Sequence, residues 1–360
     1  MSGITTLSDR GENGLFPDVD RQHLPSIDAL RGIAALEVAL VFHQHFMLRD
    51  YRSGPLDGLP IFTQIHAYGW IAVDLFFVIS GFIFTHVYFA NGRVEATARE
   101  FAIARFARLY PLHFATLLAA AIALSFKHPH PDTFTAWHFL LNLLMLQESG
   151  LNDGLSFNGP AWSISVEVYC YVAFYYLAKR FPRALIPMAW VISVTAFCLT
   201  TGKDQPTLDH IARGFCGFFA GILAYRYRSA PVWALLPLAT VPFLFVGHVR
   251  FFSWGSVLAV TAFPAWVLLA PRIGLLATRP FLWVGERSYS LYLVHAPIYW
   301  LISFAFLGGR PVSHPWPMLA LSSALILLTA DLSYRYFETP ARRAIRRWGE
   351  RSKAHSNLPA

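Results

Sequence analysis

Apolar residues along this chain fall in long uninterrupted blocks, not in the alternating or one-sided stripes of soluble strands and helices. A block of about 20 residues is long enough to cross the hydrocarbon core of a bilayer as a helix. The pattern therefore predicts an all-α, polytopic membrane bundle of about ten transmembrane helices, near 33–48, 68–89, 109–126, 162–178, 184–200, 211–225, 231–248, 252–270, 288–307 and 316–334.

One further apolar stretch, 134–146, decides the topology because it is short and is followed by a segment rich in Gly, Asn and Asp. If it does not cross and the amino end is cytoplasmic, most Lys and Arg residues fall on the cytoplasmic side, as the positive-inside rule requires. We therefore expect both termini in the cytoplasm and a re-entrant or interfacial segment near 127–160. Irregular backbone at membrane depth must lie against protein or a wet cavity, so this segment is expected to wall the active site.

The composition agrees with a membrane protein, since 55% of the residues are hydrophobic and 14% are charged, against about 25% charged in soluble chains. The net charge of +8 lies in short clusters between apolar blocks, which favours lipid headgroups over nucleic acid. The chain is expected to divide into a cytoplasmic tail without a signal peptide (1–25), a transmembrane domain (26–340) and a basic cytoplasmic tail (341–360). For the basic tail, an interfacial helix attracted to lipid is favoured over one that binds substrate.

Ionisable side chains inside predicted spans are costly unless they are paired or face a cavity, and each is therefore a candidate for function. They lie mostly in the first half of the chain and predict a polar cavity between the first, second and fourth spans. These residues are Glu37, His43, His45, Asp74, Glu167 and His295. Acyl transfer to an alcohol needs a base such as His, a carboxylate to orient that base, and arginines for the phosphates of a CoA thioester.

The three cysteines have no metal-ligand spacing, so no metal site is expected.

Six stretches follow one another from residue 26 to residue 340. They are Ser26-Ile-Asp-Ala-Leu-Arg31-Gly-Ile-Ala-Ala-Leu with Phe42-His43, Asp74-Leu-Phe-Phe-Val-Ile-Ser80-Gly81-Phe82, Arg105-Phe-Ala-Arg108-Leu-Tyr-Pro111, Trp162-Ser163-Ile-Ser165-Val-Glu167, Ser288-Tyr289-Ser290-Leu-Tyr292-Leu-Val-His295-Ala-Pro297 and Tyr336-Phe337-Glu338-Thr-Pro340. Together they resemble the membrane acyltransferase family 3, whose members O-acylate surface polysaccharides, lipopolysaccharide, Nod factors, peptidoglycan and macrolides. The resemblance covers nearly the whole chain.

The resemblance implies roles for individual residues. His43 would be the base, with Arg31 at the cytoplasmic end of the same span, and Arg105 and Arg108 would meet the acyl-CoA phosphates. The acidic residues of the site would be Asp74 and Glu167, which would orient the histidine. Candidates for substrate binding, or for packing at a helix start, are Trp162, Ser163 and Ser165. Helix packing is the expected role of His295, and Glu338 is expected to pair with Arg335 or Arg342.

The spacing between the arginine and the histidine departs from the family pattern, which has ten intervening residues where Arg31 and His43 enclose eleven. On a regular helix His43 would point about 120° away from Arg31. Either the helix absorbs one residue as a π-bulge, or His45 is the base instead. The preceding Phe42 favours His43.

The predicted function is therefore transfer of an acyl group, most commonly acetyl in this family, from acyl-CoA to a hydroxyl of a carbohydrate or glycolipid acceptor. The base either deprotonates the acceptor or passes the acyl group onward to it. No cofactor beyond the acyl-CoA cosubstrate is expected, and the resemblance implies the bacterial inner membrane. A proton-coupled transporter of a glycan or sugar is the alternative, since it too would need ionisable groups inside the membrane.

Overall fold

The computed structural model describes residues 24–48, 66, 68–152, 154–200, 206–245, 253–310, 312 and 314–356. Every regular element in these ranges is helical, which confirms the predicted all-α class. The predicted tail 1–25 lies almost wholly outside the described ranges.

The α-helices are α1 (Pro25–Leu36), α2 (His45–Leu48), α3 (Ala72–Tyr88), α4 (Ala98–Ser125), α5 (Ala136–Leu143), α6 (Trp162–Arg180), α7 (Leu185–Leu199), α8 (Pro206–Arg226), α9 (Val232–Thr240), α10 (Trp254–Val260), α11 (Ala262–Leu269), α12 (Arg279–Trp300), α13 (Pro315–Ser333) and α14 (Thr339–Ser356). The π-helical segments Glu37–Phe42, Leu301–Phe306 and Tyr334–Glu338 continue α1, α12 and α13.

Within the described ranges, five helices are long and apolar enough to cross a bilayer, and the bent pair α10 and α11 adds a sixth if it forms one span. The five are Gly69–Tyr88, Ala98–Ser125, Pro182–Leu199, Arg279–Phe306 and Pro315–Arg351. The chain is a multi-pass membrane protein, but the predicted number of about ten spans is not confirmed. Two of the predicted spans coincide with α6 and α8, which carry charged residues and bury much of their surface in the bundle. Polar side chains are tolerated on helices that face protein, so hydropathy marks such helices poorly.

Two helices display the apolar faces expected against lipid. On α13, Leu321, Leu325, Leu328 and Leu332 are exposed at helical spacing along one side. On α7, Val191 and Val194 are more than half exposed. Apolar surface of this kind is stable in hydrocarbon and would be unusual on a soluble monomer. The outer faces of these helices therefore support the membrane assignment.

The helices α1 and α12 cross at a pair of glycines. A Cβ on Gly32 would lie 2.5 Å from the amide nitrogen of Gly285, and a Cβ on Gly285 would lie 2.5 Å from the carbonyl oxygen of Asp28. Small residues allow such close backbone approach between membrane helices. The crossing places Arg31, next to Gly32, against the same helix, where its Nε donates to Ser288 Oγ at 2.8 Å.

The segment near 127–160 contains α5, whose eight residues are too few to span a bilayer. Polar side chains attach it to the bundle. Gln147 donates to the carbonyl oxygen of Ala161 at 2.7 Å, and Asn158 donates to that of Leu293 at 3.0 Å. The described part of this segment thus packs against protein, as irregular backbone at membrane depth requires.

The carboxyl-terminal helix does not end where the basic tail was expected to begin. The helix α13, the π-helical Tyr334–Glu338 and α14 follow one another without a break past residue 340. The last of these, α14, packs against α4, the helix that carries Arg105 and Arg108. This contact brings the basic tail next to the candidate site.

Candidate active site

His43, at the end of the helical segment that begins with α1, contacts His295 inside α12. His43 Nδ1 lies 2.9 Å from His295 Nε2, and the rings stack with centroids 4.9 Å apart. Both residues were singled out from the sequence, but His295 was expected to pack helices, not to contact the candidate base. The structure therefore brings together two ionisable groups that lie 252 positions apart.

The hydrogen bonds of this pair assign the protons. His295 Nδ1 lies 3.3 Å from the carbonyl oxygen of Leu291, an atom that can only accept. In neutral His295 the proton is therefore on Nδ1, and Nε2 is an acceptor. His43 must then donate from its own Nδ1, which leaves His43 Nε2 without a proton and able to act as a base.

A π-helix puts His43 in this position. After α1, the six residues Glu37–Phe42 wind as a π-helix, and the amide of His43 donates to the carbonyl oxygen of Val38 at 3.0 Å, five residues back. The extra residue between Arg31 and His43 is thus absorbed, as the π-bulge alternative predicted. Both side chains consequently face α12, where Arg31 contacts Ser288 and His43 contacts His295.

His45, the other candidate base, begins the short helix α2. Its Nδ1 donates to the carbonyl oxygen of Phe42 at 2.7 Å, and its ring is buried. Its ring centroid lies 5.7 Å from that of His43. His45 therefore belongs to the same histidine cluster as His43 and His295.

An inner cavity of about 110 Å³ runs between α1, α3, α4, α6 and α12. Its lining includes five of the ten predicted site residues together with other polar side chains. The polar lining residues are Arg31, Ser80, Arg105, Arg108, Ser163, Glu167, Tyr171, Ser288, Tyr289 and Tyr292. On α12, Ser288, Tyr292 and His295 are spaced i, i+4 and i+7, so they lie along one helix face. That face leads from the inner cavity toward the histidine pair.

Glu167 projects into the inner cavity from α6. Its Oε1 accepts from Ser80 Oγ at 2.6 Å and from the hydroxyl of Tyr171. Two donors on one carboxylate oxygen hold the side chain in place. Glu167 therefore lies in the predicted cavity, although no hydrogen bond joins it to His43 within the described residues.

A second cavity, of about 310 Å³, adjoins the first and is strongly basic. The two share Arg31, Ile83, Phe84, Arg105 and Arg108 as lining. We call the second one the basic cavity. Five arginines and two carboxylates line it, namely Arg31, Arg105, Arg108, Arg342 and Arg346 with Asp28 and Glu286. The arrangement suits an anionic ligand whose other end enters the inner cavity.

The two predicted phosphate-binding arginines differ in their partners. Arg105 donates to the hydroxyl of Tyr88 at 3.1 Å, and its guanidinium lies 4.9 Å from the ring centre of Phe84. Arg108 forms an ion pair with Glu338, whose Oε2 accepts from Ser290 at 2.7 Å. The expected pairing of Glu338 with Arg335 or Arg342 is therefore wrong, because the π-helical turn at its end directs this carboxylate to α4.

Asp74 pairs with an arginine that the sequence analysis did not single out. Arg213 donates from Nε and from a terminal nitrogen to the two oxygens of Asp74, at 3.1 and 2.7 Å. Asp74 is fully buried, and Arg213 also lies 4.5 Å from the ring centre of Trp70. In the described part of the chain, no hydrogen bond joins Asp74 to His43. His295, and not a carboxylate, contacts the Nδ1 atom of His43. A catalytic role for Asp74 stays a prediction.

The three candidates at the start of α6 separate into different surroundings. Ser163 lines the inner cavity and bonds to the hydroxyl of Tyr292 at 2.8 Å. Trp162 stacks on His210 with ring centroids 4.0 Å apart. Ser165 is buried and donates to the carbonyl oxygen of Met145 at 2.8 Å, which attaches the preceding segment to α6. Ser163 alone of these three is placed in the inner cavity, and the other two pack the helix start.

The residues that sequence reasoning missed are Arg213 and the α14 arginines that line the basic cavity. Arg213 lies inside an apolar block, and its placement within a predicted span was the signal that could have paired it with Asp74. The α14 arginines were assigned to lipid because a basic tail beside a membrane usually contacts headgroups. Their position could be found only from the packing of α14 on α4.

Together, the fold and these cavities define a class of protein, a helical membrane protein with an internal site that combines a basic cavity, a polar interior and a histidine pair. Comparison with known proteins then identifies the family. The family model described as an acyltransferase domain, the acyltransferase family 3, matches residues 24–335. The chain belongs to this family.

Individual relatives carry names that agree with the family. The chain is 24% identical over 373 residues to a peptidoglycan O-acetyltransferase, OatA, of Listeria monocytogenes, covering 90% of this chain and 56% of the relative. It is 33% identical over 190 residues to the acyltransferase MdmB of Streptomyces mycarofaciens, covering 51% and 47%. The O-acetyltransferase OatA of Staphylococcus aureus is 24% identical over 371 residues, with 89% and 58% covered.

The chain thus spans about half the length of the relatives it matches. No solved structure matches it.

Proposed function

We propose that this protein is a membrane O-acyltransferase that moves an acyl group from acyl-CoA to a hydroxyl of a carbohydrate or glycolipid acceptor. The observation that carries the proposal is the pair of adjoining cavities, which share Arg31, Arg105 and Arg108. CoA thioesters combine a polyanionic nucleotide with a long uncharged arm. The basic cavity suits the polyanionic nucleotide, and the smaller inner cavity suits the uncharged arm.

The acceptor class rests on the relatives. Two of the matching proteins are named as O-acetyltransferases, and one of those names specifies peptidoglycan. Acetyl is therefore the donor group we propose, and a glycan is the acceptor class. The proposed location is the bacterial inner membrane, with both termini and the basic cavity on the cytoplasmic side, where acyl-CoA is made. No cofactor besides the acyl-CoA cosubstrate is needed for this reaction.

In the proposed mechanism, His43 Nε2 removes the hydroxyl proton as the acceptor oxygen attacks the thioester carbonyl. The carbon–sulfur bond then breaks, and the proton passes to the departing CoA thiolate. His295 holds the reacting tautomer of His43 through the 2.9 Å hydrogen bond, the part that a carboxylate plays in many triads. Arg31 and His43 are twelve residues apart, about 18 Å along a helix, a length of the order that an extended pantetheine arm covers.

The test is release of free CoA from acetyl-CoA by the purified protein in nanodiscs, with extracted cell glycans as acceptor. His43→Ala is expected to lower kcat by about 10² to 10⁴. His45→Ala is the matched control, since it removes a neighbouring buried histidine of the same cluster, and it is expected to keep most of the activity. Loss of turnover in His45→Ala with retention in His43→Ala would reassign the base. No CoA release from folded protein with any acyl donor would refute the proposal.

A further inference from the structure

The carboxyl-terminal helix α14 contributes two arginines to the basic cavity. Arg342 and Arg346 are spaced i, i+4, so they lie on one face of α14, and both line the cavity together with Arg105 and Arg108. The next residue after each, Arg343 and Arg347, is exposed. The helix therefore presents one pair of arginines inward and another pair outward.

Buried contacts next to its first residue hold α14 in position. Glu338, one residue before α14, is only 2% exposed. It forms the ion pair with Arg108 on α4 and accepts from Ser290 on α12. These two contacts orient the start of α14 before its inward arginines reach the cavity.

The charge around the basic cavity is unbalanced. Five guanidinium groups share the lining with two carboxylates, and one of these, Asp28, is paired with Arg31 at 2.9 Å. The other, Glu286, is paired with Arg287, which lies outside the lining. Glu338, also outside the lining, is paired with Arg108. Like charges held at one low-dielectric site repel each other, and an anion bound between them removes that repulsion.

The two arginine pairs do not occupy equivalent places. Arg105 and Arg108 line both cavities, whereas Arg342 and Arg346 line only the basic one. The α14 pair is therefore the more distant from the inner cavity. A ligand with its reactive end in the inner cavity would present its far end to α14.

We propose that Arg342 and Arg346 bind the phosphates at the nucleotide end of the acyl-CoA donor, so that α14 is part of the donor site. This inference rests on the proposed function. A phosphate of an anionic lipid headgroup has the same chemistry, and the experiment separates the two sources. The structure favours the donor because the basic cavity shares Arg105 and Arg108 as lining with the inner cavity.

The experiment measures the dissociation constants of CoA and of 4′-phosphopantetheine by calorimetry, with the full chain in nanodiscs of phosphatidylcholine. Arg342→Gln/Arg346→Gln is expected to weaken CoA binding at least about tenfold, since charge-assisted hydrogen bonds are lost. Its affinity for 4′-phosphopantetheine, which lacks the nucleotide, should stay within about twofold. The matched control Arg343→Gln/Arg347→Gln removes the same charge from the same helix and should bind both probes as the wild type does.

Three results would overturn the inference. The first is wild-type CoA affinity in Arg342→Gln/Arg346→Gln, and the second is an equal loss for 4′-phosphopantetheine, which would show an effect on cavity shape. The third is unchanged CoA affinity together with a lost thermal stabilisation by phosphatidylglycerol, which would assign the arginines to lipid.

The proposed function can fail separately. If the wild type binds no CoA, the acyl-CoA donor itself is refuted. If the wild type binds CoA and Arg105→Gln/Arg108→Gln loses it, while Arg342→Gln/Arg346→Gln does not, only the role of α14 is refuted.

Discussion

His43 Nδ1 and His295 Nε2 lie 2.9 Å apart, where the end of the segment that continues α1 meets α12, and the two helices run in the same direction. The segments also meet near their starts, where Gly32 contacts Gly285. An imidazole thus lies where many catalytic histidines have a carboxylate. Such a contact can hold His43 in one tautomer without placing a negative charge beside it.

Replacement of His295 should lower kcat without changing the KM for acyl-CoA, because His295 contacts His43 and not the basic cavity. His295→Gln keeps an amide oxygen that can accept from His43 Nδ1, whereas His295→Leu keeps similar volume without an acceptor. We expect kcat to fall about 10- to 100-fold in the Leu variant and less in the Gln variant. Steady-state kinetics on both variants check this, and equal kcat values in the two would contradict the tautomer assignment.

The π-helix predicts that deleting one residue from Glu37–Phe42 and inserting one there have different effects on acyl transfer. Removing Leu40 should convert Glu37–Phe42 to regular helix and restore the ten-residue spacing, so His43 would still face α12. Inserting an alanine after Leu40 should rotate everything beyond it by about 100°. We expect the deletion to keep acyl transfer within about tenfold and the insertion to abolish it. CoA release checks both, and an inactive but folded deletion variant would show that the π-helix has a role beyond spacing.

The sequence predicted what depends on local pattern and motif order. Apolar blocks marked the helices, and the eleven-residue spacing between Arg31 and His43 led to two alternatives, a π-bulge or His45 as the base, of which the structure has the π-helix. Pairings across long separations were not predictable from one sequence, as with His43 and His295 or Arg108 and Glu338. The predicted number of about ten spans is not confirmed by the length and composition of the described helices, since α6 and α8 combine burial with charged residues.

The buried pair of Asp74 and Arg213 predicts opposite outcomes for single and double variants. Asp74→Leu leaves the Arg213 cation buried without its partner, and should cost about 3–5 kcal/mol of stability. Asp74→Leu/Arg213→Met replaces both charges by apolar groups, and should recover much of that loss. Thermal unfolding in detergent gives the comparison.

The double variant also tests the role of Asp74 in catalysis. If Asp74 only pairs with Arg213, the folded double variant should retain CoA release. If Asp74 acts in the reaction, as the family resemblance implies, the double variant should be stable and inactive.

Replacing Glu338 by an uncharged residue should lower the stability of the protein and raise its affinity for the donor. Glu338→Gln keeps a hydrogen-bond acceptor for Ser290 but leaves Arg108 without its carboxylate in the basic cavity. The free protein should become less stable, because an uncompensated buried cation remains.

The same change makes the basic cavity more positive, so the KM for acetyl-CoA should fall several-fold. Saturating CoA should then raise the thermal midpoint of the variant more than that of the wild type, because ligand binding to the native state stabilises it. Glu95→Gln, an exposed carboxylate that pairs with Arg93 and does not line the basic cavity, is the control. A higher KM in Glu338→Gln would show instead that this carboxylate is needed to hold Arg108 where the donor phosphates bind.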